Sequence, residues 1–440
     1  MDSNNPAMTI PATQRLRTPN NRPDQTPPPE SPSTPQQNVP PSKNDTGWRR
    51  LVRNFSPSWF STTMGTGIVS TIFITIPWKA DWLYYLSIIF FVLNVVLFFS
   101  ALGVSILRYT LWPEIWGVMI RDPVNSLFLG TVPMGFATIV EMWVFVCVPA
   151  WGPWAAYFAF ALWVLDAIVA VAVTLSLGIL LMSASHQRPL DTITAAQLLP
   201  IAATIVAAGT GSETASILIP HNPHLALGTL IASYTMWGMG TPYALSVLVI
   251  YYQRLALHKL PPREVIVSCF LPLGPLGFGG YTILYLGKVS AQVFPLTNTI
   301  DPLAGRVAYI LGFFIALILW GYGLVWFALA LASIYKARPK WNNMGIWGFT
   351  FPLGVYSVST ILIGEELPSL FFRVLGTVFA TAVVVLWVFI FACTAQGAWS
   401  GKLFHAPCLA NLKREELVQG PELGEEEKRV ESVGESERGR

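Results

Sequence analysis

Five helix-breaking residues recur at nearly regular intervals along this chain, each inside a run that is otherwise apolar enough to cross a membrane. They are Gly65, Pro133, Pro200, Pro272 and Pro352, separated by 68, 67, 72 and 80 residues. In lipid, an interrupted backbone is tolerated only where protein covers it or a water-filled cavity wets it. Five interrupted runs therefore predict one shared internal lumen.

A longer, largely unbroken apolar run lies between each interrupted run and the next, so the repeated unit is predicted to be a helical hairpin. With 53% hydrophobic and 12% charged residues among 440, the chain is too apolar for an average soluble domain. We expect an all-α integral membrane protein of ten transmembrane helices in five hairpins, each long enough to cross a bilayer. The predicted spans are 57–77, 82–107, 125–147, 153–182, 195–218, 225–254, 264–288, 305–334, 344–364 and 370–398.

The two ends of the chain differ from this apolar middle. Residues 1–47 include 11 prolines within the first 41 positions and no aromatic residue, a composition that cannot offset the entropy of ordering. Residues 411–440 carry nine Glu and six Lys or Arg, which is typical of a solvated tail. We expect a disordered tail over 1–47, a transport domain over 48–410 and a charged tail over 411–440.

Basic residues predict the orientation. With ten spans both termini lie on one side, and the loops on that side carry most of the Lys and Arg residues, including Arg108, Arg121 and Arg254. The opposite loops carry only Lys79, Lys288, Arg306 and Arg373. The positive-inside rule then puts both tails in the cytoplasm. The net charge of +3 reflects this topology, so we expect the lipid bilayer as the surrounding partner and no nucleic acid.

Motifs for catalysis, metal binding and nucleotide binding do not appear in a suitable context. The four cysteines and five histidines are scattered without ligand spacing, so we expect no metal or other cofactor. The glycine-rich string at 274–280 lies inside an apolar span and does not follow a soluble strand, which argues against a nucleotide site. We expect a transporter rather than an enzyme.

The interrupted runs are rich in Gly, Ser and Thr and poor in charge. Hydroxyls and the amides of interrupted helices offer partial positive charge to an anion without holding it tightly. This lining favours a small anion; the alternative is that small residues only allow close helix packing. The candidate lining and break positions are Gly65, Thr66, Gly67, Pro133, Gly135, Pro200, Gly209, Pro272, Gly274, Gly277, Pro352 and Gly354.

Three acidic residues lie well inside predicted spans, where each is a functional candidate by default. Asp166 is central in the fourth run, an unbroken one, and we interpret it as structural. Glu141 in the third run and Glu213 in the fifth are candidates for a vestibule or a proton-coupling site. Acidic groups also repel an anionic substrate, so the sequence leaves proton coupling open.

Several segments resemble the tellurite-resistance/dicarboxylate transporter family, which includes plant slow anion channels and malate permeases. They are residues 54–60 (NFSPSWF), 64–69 (MGTGIV), 271–277 (LPLGPLG) and 349–354 (FTFPLG). The similarity covers about residues 48 to 410. The first segment and residues 401–409 (GKLFHAPCL) are most similar to the fungal sulfite-exporting branch of that family. The departure at Phe278-Gly279-Gly280, where a more polar stretch is expected, leaves the selectivity residues open.

The resemblance implies a pseudo-fivefold barrel of five hairpins, kinked odd helices around a central pore, and assembly as a homotrimer. It also implies a pore-blocking aromatic residue, matched here by Phe351. The function that it implies is efflux of sulfite or bisulfite across the plasma membrane. A proton-coupled malate permease is the alternative within transport, and a membrane sensor with a vestigial pore is the alternative outside it. Passage as a channel or as a proton-coupled carrier stays open.

Overall fold

The computed structural model describes residues 47–182, 189–339, 343–401, 403–404, 406 and 409. The predicted N-terminal tail, except Gly47, and the predicted tail 411–440 lie outside these residues. The described part is all helical, with no strand within it. Its α-helices are α1 (Gly47–Arg53), α2 (Ser61–Thr75), α3 (Asp81–Leu111), α4 (Glu114–Arg121), α5 (Thr131–Met142), α6 (Val148–Trp151), α7 (Pro153–Leu181), α8 (Leu198–Leu218), α9 (Pro223–Leu257), α10 (Leu273–Thr297), α11 (Ala304–Ala337), α12 (Thr350–Glu366) and α13 (Leu370–Trp399).

The long helices form two layers that differ in burial. In the most apolar 18-residue stretch of the segments containing α8 and α12, 94% of the residues are buried, whereas in that of α7 the fraction is 22%. We call α2, α5, α8, α10 and α12 the inner helices. The outer helices α3, α7, α9, α11 and α13 bury one stripe each and leave large apolar side chains exposed on the other face. This pattern is that of a buried inner layer surrounded by an outer layer whose exposed face is apolar.

The inner helices contact one another in a closed ring. α2 packs on α5, α5 on α8, α8 on α10, α10 on α12, and α12 again on α2. In α2 and α5 the residue numbers of contacting pairs increase together: Thr63 lies against Gly135, and Gly67 lies against Thr138. These two helices therefore run in the same direction. The ring brings the first and last inner helices together, although nearly 300 residues separate them.

A short 3-10 turn precedes every inner helix. The prolines that the sequence marks as breaks follow these turns: Pro133, Pro200 and Pro352 are each the third residue of their helix, and Pro272 immediately precedes α10. In the first turn the backbone N–H groups have no intrahelical partner, so a proline there costs no hydrogen bond. The prediction of breaks in the middle of the spans is therefore wrong in position: these four interruptions lie at the entry to the helix. Gly65, the fifth, lies inside the uninterrupted α2.

Among the hydrogen bonds that join the layers, five follow one pattern: a side-chain N–H of each outer helix donates to the next inner helix in the ring. Four of the donors are tryptophan indoles and the first is an asparagine amide. They are Asn94 Nδ2 to Thr138 Oγ1 at 2.9 Å, Trp163 Nε1 to the Ala207 carbonyl at 2.9 Å, Trp237 Nε1 to the Gly279 carbonyl at 2.8 Å, Trp320 Nε1 to Thr360 Oγ1 at 2.9 Å and Trp387 Nε1 to Thr66 Oγ1 at 3.1 Å. We call these five contacts the interlayer links. They run from α3 to α5, α7 to α8, α9 to α10, α11 to α12 and α13 to α2.

Eight helical segments of the described residues are long and apolar enough to cross a membrane. Two predicted spans are not among them. α2 has only 15 residues, although its 3-10 turn extends the segment, and α9 has 35 residues with Gly, Ser and Thr scattered through it. Both belong to the two layers by burial. The membrane class is thus confirmed by eight segments.

The two ends of the helical region meet at one end of the molecule. The indole of Trp59 stacks on Phe404 with ring centroids 4.9 Å apart, and the Ala406 amide donates to Asn54 Oδ1 at 3.2 Å. Two of the segments that carry the family resemblance are therefore in contact. We call this the proximal end and the opposite one the distal end.

Candidate functional site

A cavity beside the inner helices lies at the distal end. Its volume is about 320 Å³, and it is bordered by the last turn of α2, the middle of α10 and the second half of α12. Polar groups on its wall include Thr75, Tyr281 and Tyr285. We call it the distal cavity. It is large enough for several waters or a small hydrated ion.

Charged side chains surround the distal cavity. Lys79, Lys288 and Glu365 are on its wall, and Lys288 Nζ lies 2.6 Å from Glu366 Oε1. Glu365 interacts electrostatically with Lys79, Lys288 and Arg373. Three cations thus face two carboxylates at this mouth. The surplus positive charge favours anions there.

Glu213 lies directly behind the wall of the distal cavity. The hydroxyl of Tyr281, which borders the cavity, donates to Glu213 Oε1 at 2.7 Å. On α5, Glu141 Oε2 accepts from Thr71 Oγ1 at 3.2 Å. Glu141 and Glu213 interact electrostatically, so the fold brings together two acidic residues that are 72 positions apart. Asp166 is buried on α7 and is not among the groups that interact with Glu213.

Five of the predicted lining glycines lie where neighbouring inner helices touch. A Cβ on Gly67 would meet Thr138, one on Gly135 would meet Thr63, and one on Gly209 would meet Phe278. On two further sides of the ring, Gly277 faces the backbone of Tyr356, and Gly354 faces Ile68. These contacts are the close packing that the sequence leaves as an alternative to pore lining. They also account for Phe278, which fills the space that Gly209 leaves.

Other predicted lining residues have different surroundings. A Cβ on Gly65 would meet Trp347 and Thr350, whereas one on Gly274 would have nothing within 4 Å. The Thr66 hydroxyl faces the outer layer, since it accepts the indole N–H of Trp387. Gly274 is therefore the predicted lining glycine with open space beside it.

Phe351, the predicted pore-blocking residue, is the second residue of α12. Its side chain is only 4% exposed. The neighbouring Phe349 is also buried, but it packs against Phe270 with ring centroids 5.0 Å apart. Within the described residues, no ring contact is found for Phe351. The ring of Phe349 thus has an aromatic contact that the ring of Phe351 lacks among the described residues.

Some features of the site are missed from the sequence. One is a π-helical segment, Trp143–Cys147, that starts two residues after Glu141; such segments are frequent at functional sites. Another is Tyr281, the hydroxyl that connects the distal cavity to Glu213. The four interlayer tryptophans could have been found from the sequence, because they recur at intervals close to those of the breaks. The intervals are 74, 83 and 67 residues between Trp163, Trp237, Trp320 and Trp387. Within the described residues, no group of three or more His, Cys, Asp or Glu could hold a metal ion.

The layered, all-helical architecture of the described residues and its eight apolar segments define a polytopic membrane protein. Comparison with protein families gives the same class: the family described as voltage-dependent anion channel (SLAC1) matches residues 54–395. The match spans both helical layers almost completely. This chain belongs to that family, which confirms the resemblance found in the sequence.

The curated relatives include proteins named as sulfite efflux pumps and one named as a malic acid transport protein. The sulfite efflux pump SSU1 of Arthroderma otae is 47% identical over 353 residues, covering 80% of this chain and 93% of the relative. The protein of the same name from Saccharomyces cerevisiae is 26% identical over 422 residues, covering 82% and 91%. The malic acid transport protein of Schizosaccharomyces pombe is 22% identical over 351 residues, covering 77% of each.

Proposed function

We propose that this protein exports sulfite or bisulfite across the plasma membrane through a gated lumen enclosed by the five inner helices. The closed ring of inner helices is the observation that carries the proposal, because a ring can enclose a path that lipid does not reach. The relatives named sulfite efflux pump, 46–47% identical over 353 residues, support the choice of anion.

The finer architecture is part of the proposal. We infer ten transmembrane helices in five hairpins, related by a pseudo-fivefold axis through the lumen. The five interlayer links support it, since each joins an outer helix to the following inner helix. α2 is then a full span when its 3-10 turn is included, and α9 crosses despite its lower hydropathy.

The lumen suits an inorganic anion better than a dicarboxylate. The inner helices carry a single basic residue, Lys288, which lies at the distal cavity. A dicarboxylate has two separated charges, and a fixed cation inside the lumen would be needed to hold one of them. An inside-negative potential supplies about 2.3 kcal/mol per charge per 100 mV for anion exit, so the export needs no ATP.

Flux measurements in liposomes test the proposal. Purified protein is reconstituted, and uptake of sulfite, nitrate, chloride and malate is compared under imposed voltage and pH gradients, with empty liposomes as the control. We expect sulfite flux to exceed malate flux and to follow the voltage. Malate uptake above sulfite flux would support the permease instead. Full sulfite flux in a chain limited to residues 48–410 would argue against a sensor that works through its tails.

Phe351 is proposed as the gate, because a buried ring without an aromatic partner next to the helix entry can fill and dewet a narrow lumen. Phe351→Ala should raise basal anion flux several-fold. Phe349→Ala is the matched control, since it removes an equally buried ring that packs against Phe270 and should leave the flux low. Equal flux in both variants would place the constriction elsewhere.

Topology and assembly complete the proposal. Both termini are proposed to lie in the cytoplasm, so that the distal cavity opens to the outside, and three copies are proposed to form a homotrimer with one lumen each. Single cysteines introduced at residues 45 and 299 can be tested by thiol labelling in intact cells, which shows the side of the membrane on which each residue lies. Only the cysteine at position 299 should react. Native mass spectrometry of the detergent-solubilised protein would report the number of copies, and a monomer would contradict the trimer.

A further inference from the structure

Glu141 and Glu213, here the carboxyl pair, lie on the neighbouring inner helices α5 and α8 and interact electrostatically. Their side chains are 2% and 0% exposed. Each carboxyl has one hydrogen-bonded oxygen, through Thr71 and Tyr281 respectively. The other oxygens, Glu141 Oε1 and Glu213 Oε2, are buried and have no hydrogen-bond partner among the described residues. Two acceptors are thus left without a donor inside the membrane layer.

Neither carboxyl of the pair has a positively charged partner among the described residues. Burying a charge is costly unless it is paired and hydrogen-bonded, and two neighbouring carboxylates repel each other as well. No ion pair to either residue is present in the described part of the chain. The nearest cation along α10 is Lys288, two turns beyond Tyr281, and it is paired with Glu366. A single proton shared by the pair would supply a donor and remove one charge.

The distal cavity gives this proton a route. Tyr281 borders the cavity on one side and donates to Glu213 on the other. Tyr285, one turn further, also borders the cavity, and its hydroxyl lies 3.5 Å from Ser216 Oγ. A proton can therefore pass from the cavity through the Tyr281 hydroxyl to Glu213, whose charge acts on Glu141.

We propose that Glu141 and Glu213 form one proton-binding site in the wall of the lumen, loaded from the distal cavity past Tyr281, whose occupancy controls anion passage. The inference rests on the proposed function, because it needs an anion path beside α5 and α8. With the proton absent, the pair presents two negative charges to an anion in the lumen; with the proton bound, it presents one. Passage should therefore increase as the distal side becomes more acidic.

Other groups around the carboxyl pair do not provide the same switch. Of the helices packed on α5 and α8, α2 carries no titratable side chain, and α3 carries its acidic, basic and tyrosine residues near its two ends. On α9, the Tyr234 hydroxyl is bonded to Ser290 Oγ at 3.0 Å. α7 contributes Asp166, which is buried with both oxygens unpartnered in the described residues. Asp166 is therefore a matched control for a buried carboxyl outside the inner ring.

Nitrate flux tests the proposal, because the charge of nitrate does not change with pH whereas that of sulfite does. Protein in liposomes is measured at fixed voltage while the pH is varied separately on the distal and proximal sides. We expect the wild-type flux to change about tenfold across the titration, a barrier difference of about 1.4 kcal/mol, and only with distal pH. Glu213→Gln and Glu141→Gln should remove most of this dependence, whereas Asp166→Asn should keep it.

Infrared spectroscopy of the purified protein is a second readout that does not need transport. The carbonyl band of a protonated carboxyl should be present in the wild type and in Asp166→Asn, and it should weaken in Glu213→Gln. An unchanged band in Glu213→Gln, or a flux that follows sodium instead of pH, would overturn the proton site. Wild-type nitrate flux without pH dependence would also overturn it while leaving the proposed function intact. Absence of flux for every anion would overturn the proposed function itself.

Discussion

Gly277→Ala should open the ring of inner helices, because a methyl group at this position would meet backbone rather than a movable side chain. An added Cβ would lie 2.8 Å from the Cα and 2.9 Å from the backbone nitrogen of Tyr356. Ordinary van der Waals contact starts at 3.4 Å, so α12 would have to move by about 0.6 Å. α12 is also held from behind, since the Tyr356 hydroxyl donates to the Trp320 carbonyl at 2.7 Å.

The magnitude follows from two opposing terms. Alanine favours helix over glycine by up to about 1 kcal/mol, whereas forcing extra volume into a close-packed contact costs about 1–3 kcal/mol. Gly274→Ala is the control on the same helix: it gains the same helix preference, and its Cβ would have nothing within 4 Å. The difference between the two variants is then the packing cost alone. For a large domain it corresponds to a midpoint lower by about 2–6 °C.

The assay is thermal unfolding of the two variants in the same detergent, followed by anion flux in liposomes. We expect Gly277→Ala to unfold at the lower temperature. Its basal flux should exceed that of Gly274→Ala, because the displaced α12 carries Phe351. If Gly277→Ala is as stable as Gly274→Ala and conducts equally, the close contact does not hold the ring together and the reasoning is refuted.

Two further predictions concern the interlayer links and the distal mouth. Trp387→Phe removes the donor to Thr66 and should lower the free energy of unfolding by about 0.6 kcal/mol, and at most about 1.7 kcal/mol. The control is Trp399→Phe, where the side chain is 96% exposed, and it should leave the melting temperature unchanged. Equal losses of stability in the two variants would contradict a role for the link. Lys79→Gln should reduce anion flux at low ionic strength and lose this effect near 1 M salt, where the screening length is about 3 Å; a reduction that ignores salt would show that Lys79 does not act through its charge.

The two helical layers could be anticipated from composition. Runs such as α8, rich in Gly, Ser, Thr and Ala, became inner helices, and runs such as α7, rich in Leu, Val and aromatic residues, became outer ones. The position of the interruptions could not be anticipated. The 3-10 turns before α5 and α10 are as apolar as the helices that follow, so hydropathy does not reveal where α-helix starts. Each proline therefore seemed central to its run.

The site was less accessible from sequence than the fold. Glu141 and Glu213 were singled out because charge is rare in membrane spans, which is a rule about single residues. Their proximity depends on α5 packing against α8, and no local pattern encodes which inner helices touch. The choice between lining and packing for Gly277 likewise depends on Tyr356, 79 positions away. Such pairings become visible only once the ring is closed.

The interlayer links also constrain how the chain can be assembled during synthesis. α2 enters the membrane first, yet the donor for Thr66 is on α13, which leaves the ribosome last. Until then, a short first helix rich in hydroxyl groups has neither α12 beside it nor Trp387 behind it. A chain truncated before α13 would thus leave α2, the first helix to enter the membrane, exposed to lipid and to degradation. In this architecture the first segment made is among the last to be secured.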